Sequence, residues 1–313
     1  MSAIIRLEHP TGRPVVVVLG MHRSGTSMCA HILSMLGLDM ADDPQRRPDA
    51  LKGLWEREEI VNAHDRILQL LGRDYASPLH AHALAPGWWA EPAVRAVRNE
   101  LIGWLRHRIG DSPRFGFKDP RTCRALPMWR EIFTDLGLEP RYVFCVRDPR
   151  QVGRSLGDRD RFAHDDREYR WMVYNAHAVA AVGTAPVCIV PYEAWFTDPG
   201  VLLARLAAHT DASMRPDEPE LKAAVAGVID AGLRHDGSIG AMRLNSITQD
   251  FYEQLTASAE AGRFTEAAIG LAQHFVGFER LMAPAHSELA QMRLGLAEAA
   301  KQLAAMHAVP AMA

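Results

Sequence analysis

An unbroken apolar run, Val15-Val16-Val17-Val18-Leu19, leads straight into Gly20-Met21-His22-Arg23-Ser24-Gly25-Thr26-Ser27. A continuous β-branched run suits a strand buried on both faces, and such strands belong to parallel sheets covered by helices. From Ser24 the apolar spacing becomes helical, with Met28, Ile32 and Leu36 on one face and Gly37 placed as a C-terminal cap. Strand, glycine-bearing turn, helix is the opening unit of an α/β fold. Three more short runs, Phe115–Phe117, Tyr142–Val146 and Val187–Val190, read as further strands. Helical patterns near 92–109, 122–136, 166–182 and 199–209 separate them, which predicts a mostly parallel central sheet flanked by helices.

In open sheets of this type ligands bind beyond the carboxyl ends of the strands. Three polar segments fall there. Gly20–Ser27 has the G-x-x-x-x-G frame of a phosphate-binding loop, whose inward N–H groups at a helix N-terminus favour anions. The nucleotide-hydrolase version has Lys directly after the second glycine; here that position is Thr26, and the basic residue comes earlier, as Arg23. The frame predicts a P-loop nucleotide-binding type of fold and anion binding, but not ATP hydrolysis. Phe117-Lys118-Asp119-Pro120-Arg121 ends a strand in a lysine, with Pro120 preventing a regular ladder beyond it. Val146-Arg147-Asp148-Pro149-Arg150 is followed by Ser155; guanidinium plus hydroxyl suits a second phosphate.

Composition narrows the classes. Of 35 basic residues only Lys52, Lys118, Lys222 and Lys301 are lysines, so an arginine carries less information here than a lysine. The formal charge of −3 gives no overall basic field for nucleic acid or an anionic membrane. The four cysteines form no CxxC pair, and Cys145 and Cys188 sit in apolar runs, which fits a reducing, cytoplasmic setting. The first residues hold no long apolar stretch and no small-residue cleavage site, so neither export nor a membrane span is expected.

Taken in order, the three motifs resemble the P-loop sulfotransferases that use 3′-phosphoadenosine 5′-phosphosulfate (PAPS). Arg23, Lys118-Asp119-Pro120 and Val146-Arg147-Asp148 are closer to the tyrosylprotein-sulfotransferase-like and bacterial branches than to cytosolic aryl sulfotransferases. The resemblance covers roughly 14–236. It implies that His22, Arg23, Ser24, Gly25, Thr26 and Ser27 hold the 5′-phosphosulfate, and that Arg147 and Ser155 hold the 3′-phosphate. Pro191-Tyr192-Glu193 is similar to a family segment whose tyrosine lies near the adenine. PAPS would be a co-substrate, with no metal expected: two separated anion cradles are present, and Asp148 follows an arginine better placed for phosphate.

Sulfonate transfer to a hydroxyl needs a proton acceptor and cations on the transferring group. Lys118 and Arg23 fit the second task. For the first, Gly53-Leu54-Trp55-Glu56 resembles a bacterial glycine–aromatic–glutamate segment, read as opening a helix with Glu56, Glu58 and Glu59 in its first turn. Acids at a helix N-terminus also simply complement its dipole. His64 is the next choice as base, followed by Asp42, Asp43 or no base at all. Trp55, Trp88 and Trp89 suit either sugar stacking or core packing. The resemblance implies a small-molecule or saccharide acceptor. A small-molecule kinase with a degenerate loop and a non-catalytic PAPS-binding protein are the competing readings.

Asp39–Gly53, rich in Asp, Arg and Pro, is a potential lid. His235–Gly240 reads as a loop, which divides the chain into 1–236 and a helical extension, 237–313. In the extension Phe264, Ala268, Leu271, Phe275, Phe278 and Met282 alternate spacings of four and three. After Ala283-Pro284-Ala285, the positions Leu289, Met292, Leu296, Ala299, Leu303 and Met306 repeat the pattern. Each run covers only about two to three heptads, short of what an independent coiled coil needs. Two amphipathic helices are predicted, packing on each other or on the main domain, or else forming a homodimer or partner surface.

Overall fold

The computed structural model describes residues 12–41, 55–73, 81–160, 164–229 and 243–307. Asp42, Asp43, Gly53, Leu54 and the 235–240 loop, with most of the potential lid and the predicted domain boundary, lie outside them. The strands are β1 (Arg13–Leu19), β2 (Gly116–Lys118), β3 (Leu138–Val146) and β4 (Val187–Pro191). They form an all-parallel sheet of order β2-β1-β3-β4. β3 is longer than its apolar run because Leu138, Glu139 and Pro140, only half-buried, pair with Arg13, Pro14 and Val15.

Side chains alternate across a strand, and β1 divides its residues between two cores. Val15, Val17 and Leu19 join α3 (Pro92–Asp111), α4 (Thr122–Asp135) and α6 (His164–Val182) on one face. Val16 and Val18 face α1 (Thr26–Met35), α8 (Pro199–Thr210) and α9 (Pro219–Val228) on the other. The remaining helices are α2 (Glu58–Leu70), α5 (Pro149–Asp160), α7 (Ala194–Thr197), α10 (Ser246–Ala257) and α11 (Glu266–His307). Burial on both faces is what an uninterrupted β-branched strand requires.

The register aligns the carboxyl ends: Val18 lies beside Lys118, Leu19 beside Phe144 and Val146 beside Pro191. The chain therefore leaves all four strands at one edge, delivering Gly20, Asp119, Arg147 and Tyr192 to the same crevice.

The C-terminal region corrects one expectation: α11 is a single 42-residue helix running through Pro284, not two helices. Proline removes the N–H that would bond the carbonyl of Arg280. Both residues are exposed, so water can satisfy that carbonyl without ending the helix. The first part of α11 and α10 complete the main core, through Phe251, Leu255, Phe264, Ala268, Ala272 and Val276.

Candidate active site

The loop after β1 is shaped by three left-handed residues: Gly20 (φ 132°), Arg23 (φ 69°) and Gly25 (φ 84°). A Cβ on Gly20 would meet the Cys145 carbonyl oxygen at 2.3 Å; one on Gly25 would meet Tyr192 Cδ2 at 2.7 Å. Glycine is thus dictated at both positions by backbone conformation and by close approach. The Gly20 N–H donates to Cys123 Sγ (3.1 Å) at the start of α4, and burial pushes that thiol up to about 12. Thr26 heads α1 and is buried. Ser24 Oγ is buried with no hydrogen-bond partner among the described residues, so the loop holds an unspent hydroxyl where an anion cradle needs one. His22 meets the Tyr174 ring edge-on at 5.3 Å.

Arg147 and Ser155 come together through the loop. Arg147 donates from Nε to Gln151 Oε1 (2.8 Å) and from Nη1 to the Arg23 carbonyl (3.2 Å). Its guanidinium carbon stands 4.0 Å from the Tyr192 ring centroid, a cation–π contact. Arg23 Nε donates to Ser155 Oγ at 2.7 Å. The arginine expected at the sulfonate is therefore turned toward the expected 3′-phosphate pair, joining the two cradles. Gln151, which sequence reasoning missed, bridges Arg147 to Glu193 Oε1 (3.0 Å); four residues beyond Arg147 on α5, it was open to discovery by helical spacing.

Lys118, buried at the end of β2, donates to Glu56 Oε1 (2.7 Å) and to Ser27 Oγ (3.0 Å). One ammonium thereby links the phosphate loop, the second motif and the glutamate. Glu56 is not in the first turn of a helix as expected, because α2 begins at Glu58. Trp55 is left-handed (φ 53°) and Arg57 extended, which keeps Glu56 in irregular chain ahead of the helix. Both flanking residues are anchored. Trp55 stacks on His31 of α1, with ring centroids 4.4 Å apart. Arg57 is fully buried, donating to the Gly116 carbonyl (3.1 Å) and to Asp39 (2.8 Å) and lying over Phe115. Burial would raise the Asp39 carboxyl, but Arg57 holds it below its usual value.

His64 lies one layer behind. Its Nδ1 is 2.9 Å from Asp119 Oδ2, and its Nε2 accepts from Trp129 Nε1 at 2.9 Å. The indole can only donate, so the ring proton sits on Nδ1 and points at Asp119. Both nitrogens are engaged and the residue is buried. Asp119, although fully buried, is held well below the ordinary carboxylate range by Arg121 and His64. The backbone N–H of Arg121 bonds Asp119 as well (3.0 Å), so this network fixes the turn that follows Lys118.

A family model described as the sulfotransferase family matches residues 14–216. The chain belongs to that family. No curated protein matches this sulfotransferase. Its fold is similar to a sulfotransferase domain from the Synechococcus PCC 7002 olefin synthase, at 19% identity and TM-score 0.39, covering 86% of this chain and 96% of that one. A sulfotransferase domain from the curacin biosynthetic pathway is similar at 15% identity and TM-score 0.46, covering 78% and 97%. Sulfotransferase STF9 from Mycobacterium avium aligns at 16% identity and TM-score 0.40, covering 87% and 78%.

Among the described residues of the sulfotransferase, no helix is long and apolar enough to cross a membrane. Asp148 is taken up by Arg150, through its backbone N–H (2.8 Å) and its guanidinium. Trp55, Trp88 and Trp89 are all used in packing, and the half-buried Trp89 also donates to Glu131 (2.8 Å).

Proposed function

We propose that this sulfotransferase uses PAPS as donor and transfers its sulfonate to a hydroxyl, leaving adenosine 3′,5′-bisphosphate. The observation that carries this reading is the meeting of Lys118, Glu56 and Ser27 beside a loop that also touches Arg147 and, through Arg23, Ser155. The residues fit such a donor. The start of α1 and Ser24 Oγ suit the 5′-phosphosulfate, Arg147 and Ser155 suit the 3′-phosphate, and Tyr192 offers a ring to the nucleoside.

Glu56 is the proposed base, taking the proton of the acceptor hydroxyl. Lys118 neutralises charge that develops on the oxygen leaving sulfur, and Arg23 is the second cation within reach of the loop. A saccharide is the proposed acceptor class. A groove of about 800 Å³ supports it: Trp89 and Arg130 line it. It shares Leu84, Trp88 and Arg124 with a small cavity reaching His64 and Tyr174, the residue that touches His22. Four reduced, buried cysteines suit the proposed cytoplasmic location.

Titration calorimetry with adenosine 3′,5′-bisphosphate in EDTA tests the reading. The wild type is expected to bind without competition from ATP. A charge-assisted hydrogen bond is worth about 1.5–3 kcal/mol, so Arg147→Ala should weaken binding by about 10- to 150-fold. No affinity in the folded wild type overturns the proposal, and magnesium-dependent ATP binding replaces it with the kinase reading. Binding without turnover of PAPS favours the non-catalytic one.

A further inference from the structure

The apolar seam noted on either side of Pro284 is one seam. Because α11 is continuous, Met282, Ala285 and Leu289 carry the alternation of three and four across the proline without a slip. In heptad terms Leu289, Leu296 and Leu303 take a positions, and Met292, Ala299 and Met306 take d positions. Up to Phe275 the main domain covers this seam: Phe264 and Ala268 are buried, and Leu271 and Phe275 pack against the core. From Phe278 onward it does not, because there α11 faces the domain with another stripe, Val276, Glu279 and Ala283, which is buried. Phe278, Leu289, Met292 and Leu296 are 46–70% exposed. His286 is the last residue of α11 with a described contact to the domain: its Nδ1 accepts from the Ala83 N–H (3.3 Å) and its ring lies tilted against His82, centroids 4.3 Å apart. About 30 Å of helix extends past it. A lone helix of that length is marginal in water and needs a partner for its apolar face.

The charges say which partner. Glu288 falls at a g position and Arg293 at the following e position. Neither has an opposite charge three or four residues away on its own helix: Glu288 has Pro284, Ala285, Gln291 and Met292 there, and Arg293 has Leu289, Ala290, Leu296 and Ala297. By contrast Glu298 and Lys301, away from the seam, are spaced to pair within one helix. A g residue meets the e residue five positions on in a parallel, in-register partner, so a second copy supplies the missing partner of each, giving two ion pairs per dimer. We propose that α11 beyond Ala283 is a self-association helix, pairing with the same segment of a second copy as a parallel two-stranded coiled coil.

Light scattering on the full chain is expected to give twice the one-chain mass of 34.7 kDa. Leu289→Glu/Leu296→Glu, both exposed positions, should restore the one-chain mass with unchanged thermal unfolding of the domain. Met292→Cys tests direction: only a parallel, in-register pair sets the two position-292 side chains side by side, and oxidation should then link the copies. The native cysteines are all buried and do not compete. Glu288→Arg and Arg293→Glu should each weaken self-association, and mixing the two variants should give mainly heterodimers. A wild type that stays monomeric overturns the proposal. So does a dimer insensitive to Leu289→Glu/Leu296→Glu, one that Met292→Cys fails to cross-link, or charge variants that mix at random.

Discussion

Lys118 Nζ lies 2.7 Å from Glu56 Oε1, with the lysine side chain 1% exposed and the glutamate 14%. The cation proposed to stabilise the leaving oxygen and the carboxylate proposed to take the proton are thus one ion pair. The pairing fixes the direction of the carboxylate, and it means that the two residues act as a unit. Removing one changes the environment of the other.

Glu56→Gln keeps a hydrogen-bond acceptor for Lys118 but cannot accept a proton. General-base removal typically costs about 10²- to 10⁴-fold, so kcat should fall by that amount while affinity for adenosine 3′,5′-bisphosphate stays at the wild-type value. Lys118→Met removes the cation and leaves Glu56 without its partner, so kcat should fall at least as far. Initial rates with labelled PAPS and parallel calorimetry check both. Wild-type kcat in Glu56→Gln removes Glu56 as the base.

Gly25→Ala tests the loop itself. The added methyl would sit 2.7 Å from the Tyr192 ring, at φ +84°. The backbone conformation alone costs about 1–3 kcal/mol, and the displaced tyrosine loses its seat under Arg147. Thermal unfolding should drop, and nucleotide affinity should fall more than tenfold. Adding Tyr192→Ala removes the clash but neither the strain nor the lost cation–π contact, so affinity should not return. An unchanged binding isotherm for Gly25→Ala would place the anion elsewhere.

The sheet and the loop were legible because their signals are local. A β-branched run, a glycine frame and a change of apolar period each occupy a few adjacent residues. The meeting of Gly20–Ser27, Lys118 and Arg147 also followed, since parallel strands deliver their carboxyl ends to one edge. What the sequence hid depends on side chains from distant elements. Nothing near Glu56 reveals that Trp55 adopts a left-handed conformation, held by His31, or that Arg57 is buried against Gly116 and Asp39. Those contacts move the start of α2 past Glu56. Likewise Pro284 reads as a break until it and Arg280 are seen to be exposed, where water can satisfy the freed carbonyl.

His64 has a geometry that separates positioning from catalysis. With Nε2 receiving the Trp129 indole proton and Nδ1–H directed at Asp119, no lone pair faces the crevice. His64→Asn should cost about 1–3 kcal/mol of stability by leaving buried partners unsatisfied. Turnover of the folded variant should remain, because the proposed proton acceptor is Glu56. Loss of turnover with wild-type stability would return the base role to His64.

Glu279 on α11 ties that helix to α6, bonding Tyr169 Oη and lying 2.7 Å from His177 Nε2. Burial would raise its carboxyl, but the hydrogen bond and charge of His177, with Tyr169 and Arg124, hold it below the usual 4.5. A depressed folded value means that the unfolded chain binds the proton more readily. Glu279 therefore contributes stability that is fully present above the unfolded value and is lost as pH falls through the folded one. Urea midpoints should hold between about pH 7 and 5 as far as this group is concerned, then decline below about pH 4.5. Glu279→Gln should lower the midpoint at neutral pH and flatten the acid decline. Asp39 and Asp119 are depressed too, so part of the slope should persist in the variant. An acid decline as steep in Glu279→Gln as in the wild type would show that docking of α11 on α6 does not depend on this carboxylate.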